Sequence, residues 1–337
     1  MLRRSIQLFA VLYLSFLIAL IAAFRFIGEG SWILLLALYF PRLLFAVPLL
    51  LLLPLTWWKC SRRWLLAPMA AILLCLFPLM GLTFHFPTPR PSGNGMRIVS
   101  YNVWFGHLGG DEILRAIGEF HPDVLVTQAT NYRVYQQLRH AYPTFHDHVD
   151  AEFVIFSRYP IKETVLASPV GPTKVEPFVR YTLETPSGLV DLLSVHPFSP
   201  RAGIETLRGQ GFLSSLKDHI WPNPKSRSEV ESNRDIRIAQ VQAIADATRK
   251  AKHPVILAGD TNLPTLSSTF DRYLSHFQDG FTSVGNGFGY TFPAHKFPWM
   301  RIDRILADNH FRFSKFSVGS RRGSDHCPVF AVVEWKQ

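Results

Sequence analysis

Near its C-terminal end the chain reads Gly323-Ser324-Asp325-His326-Cys327-Pro328-Val329-Phe330. A carboxylate and an imidazole stand side by side after a Gly-Ser turn, and the apolar run Val329 to Trp335 predicts a buried strand behind them. Such a pair at the lip of a sheet can bind a divalent metal and hydrogen-bond a phosphate oxygen. Alone, the dipeptide reads more simply as an ordinary turn, so its weight depends on what else the chain supplies. Met96 to Asn102 predicts a strand ending in an amide, and Val190 to Val195 predicts one that delivers His196. Val255 to Asn262 is an apolar run ending in Gly259-Asp260-Thr261-Asn262, and Arg301 to Leu306 is a strand that carries Asp303. Acids, amides and imidazoles at the tips of buried strands define a polar pocket over a sheet, because each needs a partner or a metal once water is excluded.

The elements that must hold those tips can be read between them. Asp111 to Phe120 is amphipathic, with Ile113, Leu114 and Ile117 on one face. A buried strand at 123–126, a helix at 131–142 and a strand at 153–158 closed by Tyr159-Pro160 follow. Residues 181–184 and 190–195 predict a hairpin around Pro186-Ser187-Gly188. Residues 197–232, rich in Pro, Gly and charge, read as an elaborated loop near the site, and 233–250 as a long helix. Phe311 to Val318 is the stretch that precedes the Asp-His turn.

The N-terminal quarter is different in kind. The 337 residues are 48% hydrophobic and 13% aromatic, which excludes a disordered chain. Three stretches, 5–24, 31–58 and 64–84, are almost free of charge, and each is about as long as the roughly 20 residues a membrane helix needs. Phe24-Arg25-Phe26 lacks the small residues of a cleavage site, so the first stretch reads as a retained anchor. Pro41 and Arg42 interrupt the second, leaving a firm span from Leu43 to Trp58. Arg3 and Arg4, then Lys59, Arg62 and Arg63, place the N-terminus and the second loop in the cytoplasm, so everything after about Phe84 lies outside. The expected division is a transmembrane region at 1–85, a Pro/Gly linker at 86–95 and a catalytic domain at 96–337.

The formal charge of +10 loses its nucleic-acid meaning once divided, since residues 1–94 account for +7 and the remainder for only +3. Nucleic acid is therefore a disfavoured partner. Cys327 is the only cysteine after Cys75, so the outer domain holds no disulfide and depends on its core.

Arg97-Ile98-Val99-Ser100-Tyr101-Asn102, Phe156-Ser157-Arg158-Tyr159-Pro160-Ile161, Gly259-Asp260-Thr261-Asn262, Arg301-Ile302-Asp303 and Ser324-Asp325-His326-Cys327-Pro328 resemble, in order, the motifs of the endonuclease/exonuclease/phosphatase superfamily. The resemblance spans roughly 96–337 and implies an α/β four-layer sandwich with two central, mostly antiparallel sheets, here preceded by an all-α transmembrane region of three helices. It also implies a metal-dependent phosphoesterase site using Mg²⁺ or Mn²⁺. By the resemblance, Asp260 stands beside the attacking water, Asn262 binds a phosphate oxygen, His326 oriented by Asp303 stabilises developing charge, His196 assists, and Asp325 with Asn102 helps hold the metal. The three spans resemble a membrane-bound bacterial branch, some of whose members act on polyprenyl phosphates. That implies a multi-pass protein of the bacterial cytoplasmic membrane with its catalytic domain outside.

One position departs from the pattern. Where the family has Gln-Glu, with the glutamate as chief metal ligand, this chain has Gln128-Ala129. Three accounts stay open: a silenced binding protein, compensation by Asp325 or Glu152, or a Glu-to-Ala change introduced to trap substrate, which the intactness of the other motifs favours. The leading functional expectation is hydrolysis of a lipid-linked phosphate, with an extracytoplasmic nuclease and a non-catalytic lipid-phosphate binder as rivals. The sequence does not set the oligomeric state.

Overall fold

The computed structural model describes residues 1–86, 95–172, 174–200 and 224–336. Most of the expected linker, 87–94, and the apolar stretch Phe212 to Leu216 lie outside the described residues.

Twelve strands form two six-stranded sheets. They are β1 (Met96–Asn102), β2 (Val124–Gln128), β3 (His146–Asp150), β4 (Phe153–Ser157), β5 (Ile161–Leu166), β6 (Phe178–Thr185), β7 (Gly188–Val195), β8 (Val255–Asp260), β9 (Gln278–Asp279), β10 (Asp303–Ala307), β11 (Phe311–Val318) and β12 (Val329–Trp335). The first sheet runs β11-β12-β1-β2-β4-β3 and the second β5-β6-β7-β8-β10-β9. Among the described strand pairs, only β1–β2 and β7–β8 are parallel. A helix lies in each parallel crossover: α5 (Gly110–Gly118) in the first and α7 (Pro224–Arg249) in the second, as a return to the same end of a sheet requires. The inner faces of the sheets pack through residues such as Ile98, Val126, Ile155, Tyr181, Leu192, Ala258 and Ile305, none of them accessible to solvent. The outer face of the first sheet is covered by α5 and α6 (Tyr132–Ala141), and that of the second by α7. Layered helix, sheet, sheet, helix, the domain is the expected sandwich. Because both faces of the central strands are covered, β2, β4 and, up to its terminal Asp260, β8 are apolar or neutral without alternation, which is why they were legible as buried runs.

Three segments are long and apolar enough to cross a membrane: Leu2–Phe26, Arg42–Lys59 and Arg62–Leu79. The second apolar stretch breaks where Pro41 predicted. Its first part is a separate helix, α2 (Trp32–Tyr39), whose 8 residues reach about 12 Å and cannot span. Helix α2 instead rests on the catalytic fold. Leu35, Leu38 and Tyr39 share one apolar cluster with Leu49, Leu52 and Leu79 of the spans and with Met300 and Ile302 of the catalytic fold. Polar contacts reinforce the join. The buried Glu29 carboxylate accepts hydrogen bonds from the Ser267 and Ser268 hydroxyls and from Thr269 N–H, at the start of α8 (Ser268–Tyr273), where a helix favours negative charge. Buried Arg42 donates to the carbonyls of Leu38, Leu79 and Thr265. At the far end of the bundle Cys60 Sγ lies 3.9 Å from the Arg3 carbonyl, so the N-terminus and the loop before the last span share the side opposite the catalytic fold.

The loop expected over 197–232 is corrected in its last part, because α7 begins at Pro224 rather than at residue 233. Proline at the first helical turn is a start signal that the charged run after it had obscured.

Candidate active site

Strand register gathers the site. In the antiparallel β8–β10 pair Asp303 stands directly opposite Asp260. In the parallel β7–β8 pair Val195 faces Gly259, which puts the next residues, His196 and Asp260, at one sheet end. A Cβ at Gly259 would lie 2.0 Å from the Val195 carbonyl oxygen, so only glycine lets these strands approach this closely. In the other sheet Asn102 is paired with Gln128, and Ala129 follows. The Ser324 hydroxyl donates to the Asn102 carbonyl at 2.7 Å and accepts from His326 N–H at 3.2 Å, which pins the Asp325-His326 turn to the tip of β1. Buried Gln128 spans the inter-sheet gap, donating from Nε2 to Ser100 at 3.3 Å and Ser194 at 3.0 Å.

Asp260 is the hub. Asn102 Nδ2 donates to its Oδ2 at 3.1 Å, and the Nε2 atoms of His196 and His326 each stand 3.6 Å from the same oxygen. Each imidazole is held from behind by a carboxylate: His326 Nδ1 lies 2.9 and 3.1 Å from the two Asp303 oxygens, and His196 Nδ1 lies 2.6 Å from Glu152 Oε1. Burial opposes a charged ring at both positions, but Asp303 and Asp260 lift His326 to about 9, and Glu152 with Asp260 lifts His196 to about 9. At both positions the neighbouring carboxylates thus favour the charged form of the ring. Burial raises the Asp260 carboxyl above its ordinary range against the pull of His326, which makes it the stronger base when ionised. Asn262 follows with its N–H on Asp260 Oδ1 at 2.8 Å and its Nδ2 on the Pro197 carbonyl at 2.9 Å.

The structure therefore brings together Asn102, His196, Asp260, Asn262, Asp325 and His326 around one cavity of about 620 Å³, with Asp303 behind His326 and Ala129 in the wall. Asp260, Asp303 and His326 place donor atoms within 4.8 Å of one another. Both Asp303 oxygens, however, are engaged with His326, so that cluster is better described as an acid–imidazole relay than as a metal cage. Asp325, Asp260 and Asn102 line the cavity, and their carboxylate and amide oxygens are hard donors of the kind that suits Mg²⁺ or Mn²⁺ and not a thiolate-seeking metal, although the Asn102 oxygen also accepts from the Trp104 N–H at 3.1 Å. They fit such an ion with one carboxylate fewer than the resemblance leads one to expect. Glu152 does not fill the gap: it is committed to His196, and His196 holds its carboxyl below the usual range although burial works the other way.

Four residues of the site had escaped sequence reasoning in these roles: Glu152 as the partner of His196, and Tyr39, Phe198 and Trp299 in the cavity wall. Tyr39 closes an apolar run in the membrane region, where a tyrosine reads as an interface anchor. Nothing in its spacing connects it to a site more than 200 residues away.

Comparison with known proteins matches this geometry. The profile of the Endonuclease/Exonuclease/phosphatase family matches residues 99–326. No curated protein sequence matches the chain. Among solved structures, truncated TDP2 from Caenorhabditis elegans superposes with a TM-score of 0.55 at 16% identity, over 72% of this chain and 98% of its own. The 3′ phosphatase NExo from Neisseria, bound to product DNA hairpin, gives 0.52 at 16% identity, over 72% of this chain and 100% of its own. An endonuclease/exonuclease/phosphatase from Beutenbergia cavernae gives 0.51 at 16% identity, over 72% of each chain. At such identity the structural likeness speaks for the fold, while the profile speaks for the sequence from β1 to His326. With twelve strands in the same sandwich and the motif residues converging on one cavity, this chain belongs to the Endonuclease/Exonuclease/phosphatase family.

Proposed function

We propose that the chain is a membrane-tethered phosphoesterase that acts on a lipid-linked phosphate, a polyprenyl (pyro)phosphate or a phospholipid headgroup, at the outer face of a bacterial cytoplasmic membrane. The observation that carries this reading is the cavity wall. Trp299, Met300 and Ile302 line the cavity and also pack in the apolar cluster that contains Leu35, Leu38, Leu49 and Leu79 of the membrane region. A lipid chain gains contact along such a wall, and tethering raises its effective concentration; a soluble phosphoester gains neither. The basic residues at 3–4 and 59–63, on the side opposite the catalytic fold, favour a cytoplasmic N-terminus and an outward-facing site.

In this reading Asp260 orients and deprotonates the attacking water, and the His326 and His196 cations stabilise charge that develops on the phosphoryl oxygens. An amide nitrogen carries two hydrogens, and Asn262 spends one on Pro197 and directs the other to a phosphate oxygen. Asp325 and Asn102 would hold Mg²⁺ or Mn²⁺, which when bound neutralises phosphoryl charge. Ala129 favours one second reading, a lipid-phosphate binder without turnover.

Reconstituted in vesicles with Mg²⁺ or Mn²⁺, the parent chain and Ala129→Glu are to be compared on polyprenyl phosphates, phospholipids and single-stranded DNA. Phosphate release from lipid is expected, at least ~10-fold faster in Ala129→Glu, with little from DNA. Turnover of DNA in place of lipid would make the protein a nuclease, and lipid-phosphate binding without turnover in either chain would make it a binding protein.

A further inference from the structure

We infer that Tyr39, the last residue of the membrane-region helix α2, is a positioning residue of the phosphoesterase site, acting through the backbone of Asn262. The inference rests on the phosphate-binding role proposed for Asn262.

Asn262 has a φ of 48°, a left-handed conformation that asparagine tolerates better than most side chains and that its hydrogen bonds here hold in place. Three bonds do so. Its N–H donates to Asp260 Oδ1 at 2.8 Å, its side-chain nitrogen to the Pro197 carbonyl at 2.9 Å, and its own carbonyl accepts the Tyr39 hydroxyl at 2.7 Å in a buried contact. The first two come from the catalytic fold; the third comes from the membrane region. Without the hydroxyl, a buried carbonyl loses its donor, and the least costly relief is rotation of the peptide after Asn262 out of the left-handed region. That rotation would carry the side-chain amide away from the phosphate.

Tyr39 is itself braced, as a positioning group must be. The Trp299 indole N–H donates to the Tyr39 carbonyl at 3.2 Å, and the Arg237 guanidinium stands 5.5 Å from its ring centroid. Three residues on, Arg42 is anchored to the Thr265 carbonyl, in the same loop that leads out of Asn262. A shift of α2 against the catalytic fold is therefore transmitted to Asn262, so the membrane region completes the catalytic geometry as well as tethering it.

The test compares Tyr39→Phe with Tyr13→Phe in the full-length chain. Tyr13 also gives its hydroxyl to a carbonyl, that of Phe45, but within the membrane helices and away from the cavity. Hydrogen exchange is read by mass spectrometry on the peptide containing residues 260–263. Hydrolysis of the water-soluble diester bis(4-nitrophenyl) phosphate with Mn²⁺ is measured in the Ala129→Glu background, alone and combined with Asn262→Ala. Tyr39→Phe is expected to speed exchange in that peptide ~10-fold and to lower kcat ~10-fold or more with a smaller effect on KM. Its effect should largely vanish once Asn262 is alanine, while Tyr13→Phe changes neither readout. Exchange unchanged by Tyr39→Phe, or kinetic losses that simply add to those of Asn262→Ala, would overturn the inference. If no background hydrolyses any phosphoester, the proposed function falls and the exchange result alone decides the coupling.

Discussion

Asp260 lies between two imidazoles that are not equivalent. His326 is buried and takes both oxygens of Asp303, whereas His196 is partly open and takes a single oxygen of the more exposed Glu152. The better-buried pair should matter more. Asp303→Asn keeps the shape but removes the charge that keeps His326 cationic and aimed at Asp260, so an active form should lose on the order of 10²-fold or more in turnover with its fold intact. Unchanged turnover, measured on the same lipid phosphate, would take Asp303 out of the site. At this scale the sequence was informative wherever a polar residue ended an apolar run, as at Asn102 and Asp260, or stood just before one, as at His326. It was silent where two loops meet: Glu152 precedes β4, His196 follows β7, and no local pattern says that they touch. The same holds for Tyr39, 223 residues from the carbonyl it serves.

Among the elements, the strands that went unread are those at the sheet edges. β3 carries His146, Asp147, His148 and Asp150 and has no buried residue, β5 is mostly exposed and has none either, and β9 has 2 residues. Edge strands bury too little to need an apolar run, and charged side chains there protect against unwanted pairing. β9 is held by charge instead. Asp279 at its end accepts from Arg301 and Arg304 at 2.5 and 2.6 Å and from the Phe281 N–H at 2.9 Å, capping α9 (Gly280–Val284). Burial would raise its carboxyl, but the two guanidiniums hold it at about 2, while burial and Arg301 pull Arg304 down to about 9. Between those values Asp279 and Arg304 are both charged. A carboxyl depressed on folding contributes stability that is complete above its unfolded value of about 4 and is lost as the pH falls toward about 2. Asp279→Asn, which strands two buried cations, should cost about 3–5 kcal/mol at neutral pH, and its deficit against the parent should shrink only below about pH 4. Denaturant titrations at several pH values measure both, and a deficit that does not change with acid would show that the triad is not ionic.

Across the whole molecule, three helices long and apolar enough to cross a membrane and a twelve-strand sandwich were legible as separate units because each follows its own hydrophobic pattern. Their union was not legible. Arg42 read only as an interruption of the second apolar stretch, and nothing marked Glu29 or Tyr39 as more than residues of the membrane region, yet all three are buried against the catalytic fold, where each finds its partner only in three dimensions. The same union gives the phosphate pocket an apolar wall continuous with the membrane region, and the account stands or falls on what occupies it. Native mass spectrometry of the full-length chain released from its membrane tests this most directly. The account predicts one phosphate-bearing lipid per chain, displaced by inorganic vanadate and lost from a variant in which Asn262 and His326 are both alanine. A chain that carries no such lipid, or one that keeps it unchanged in that variant, would contradict it.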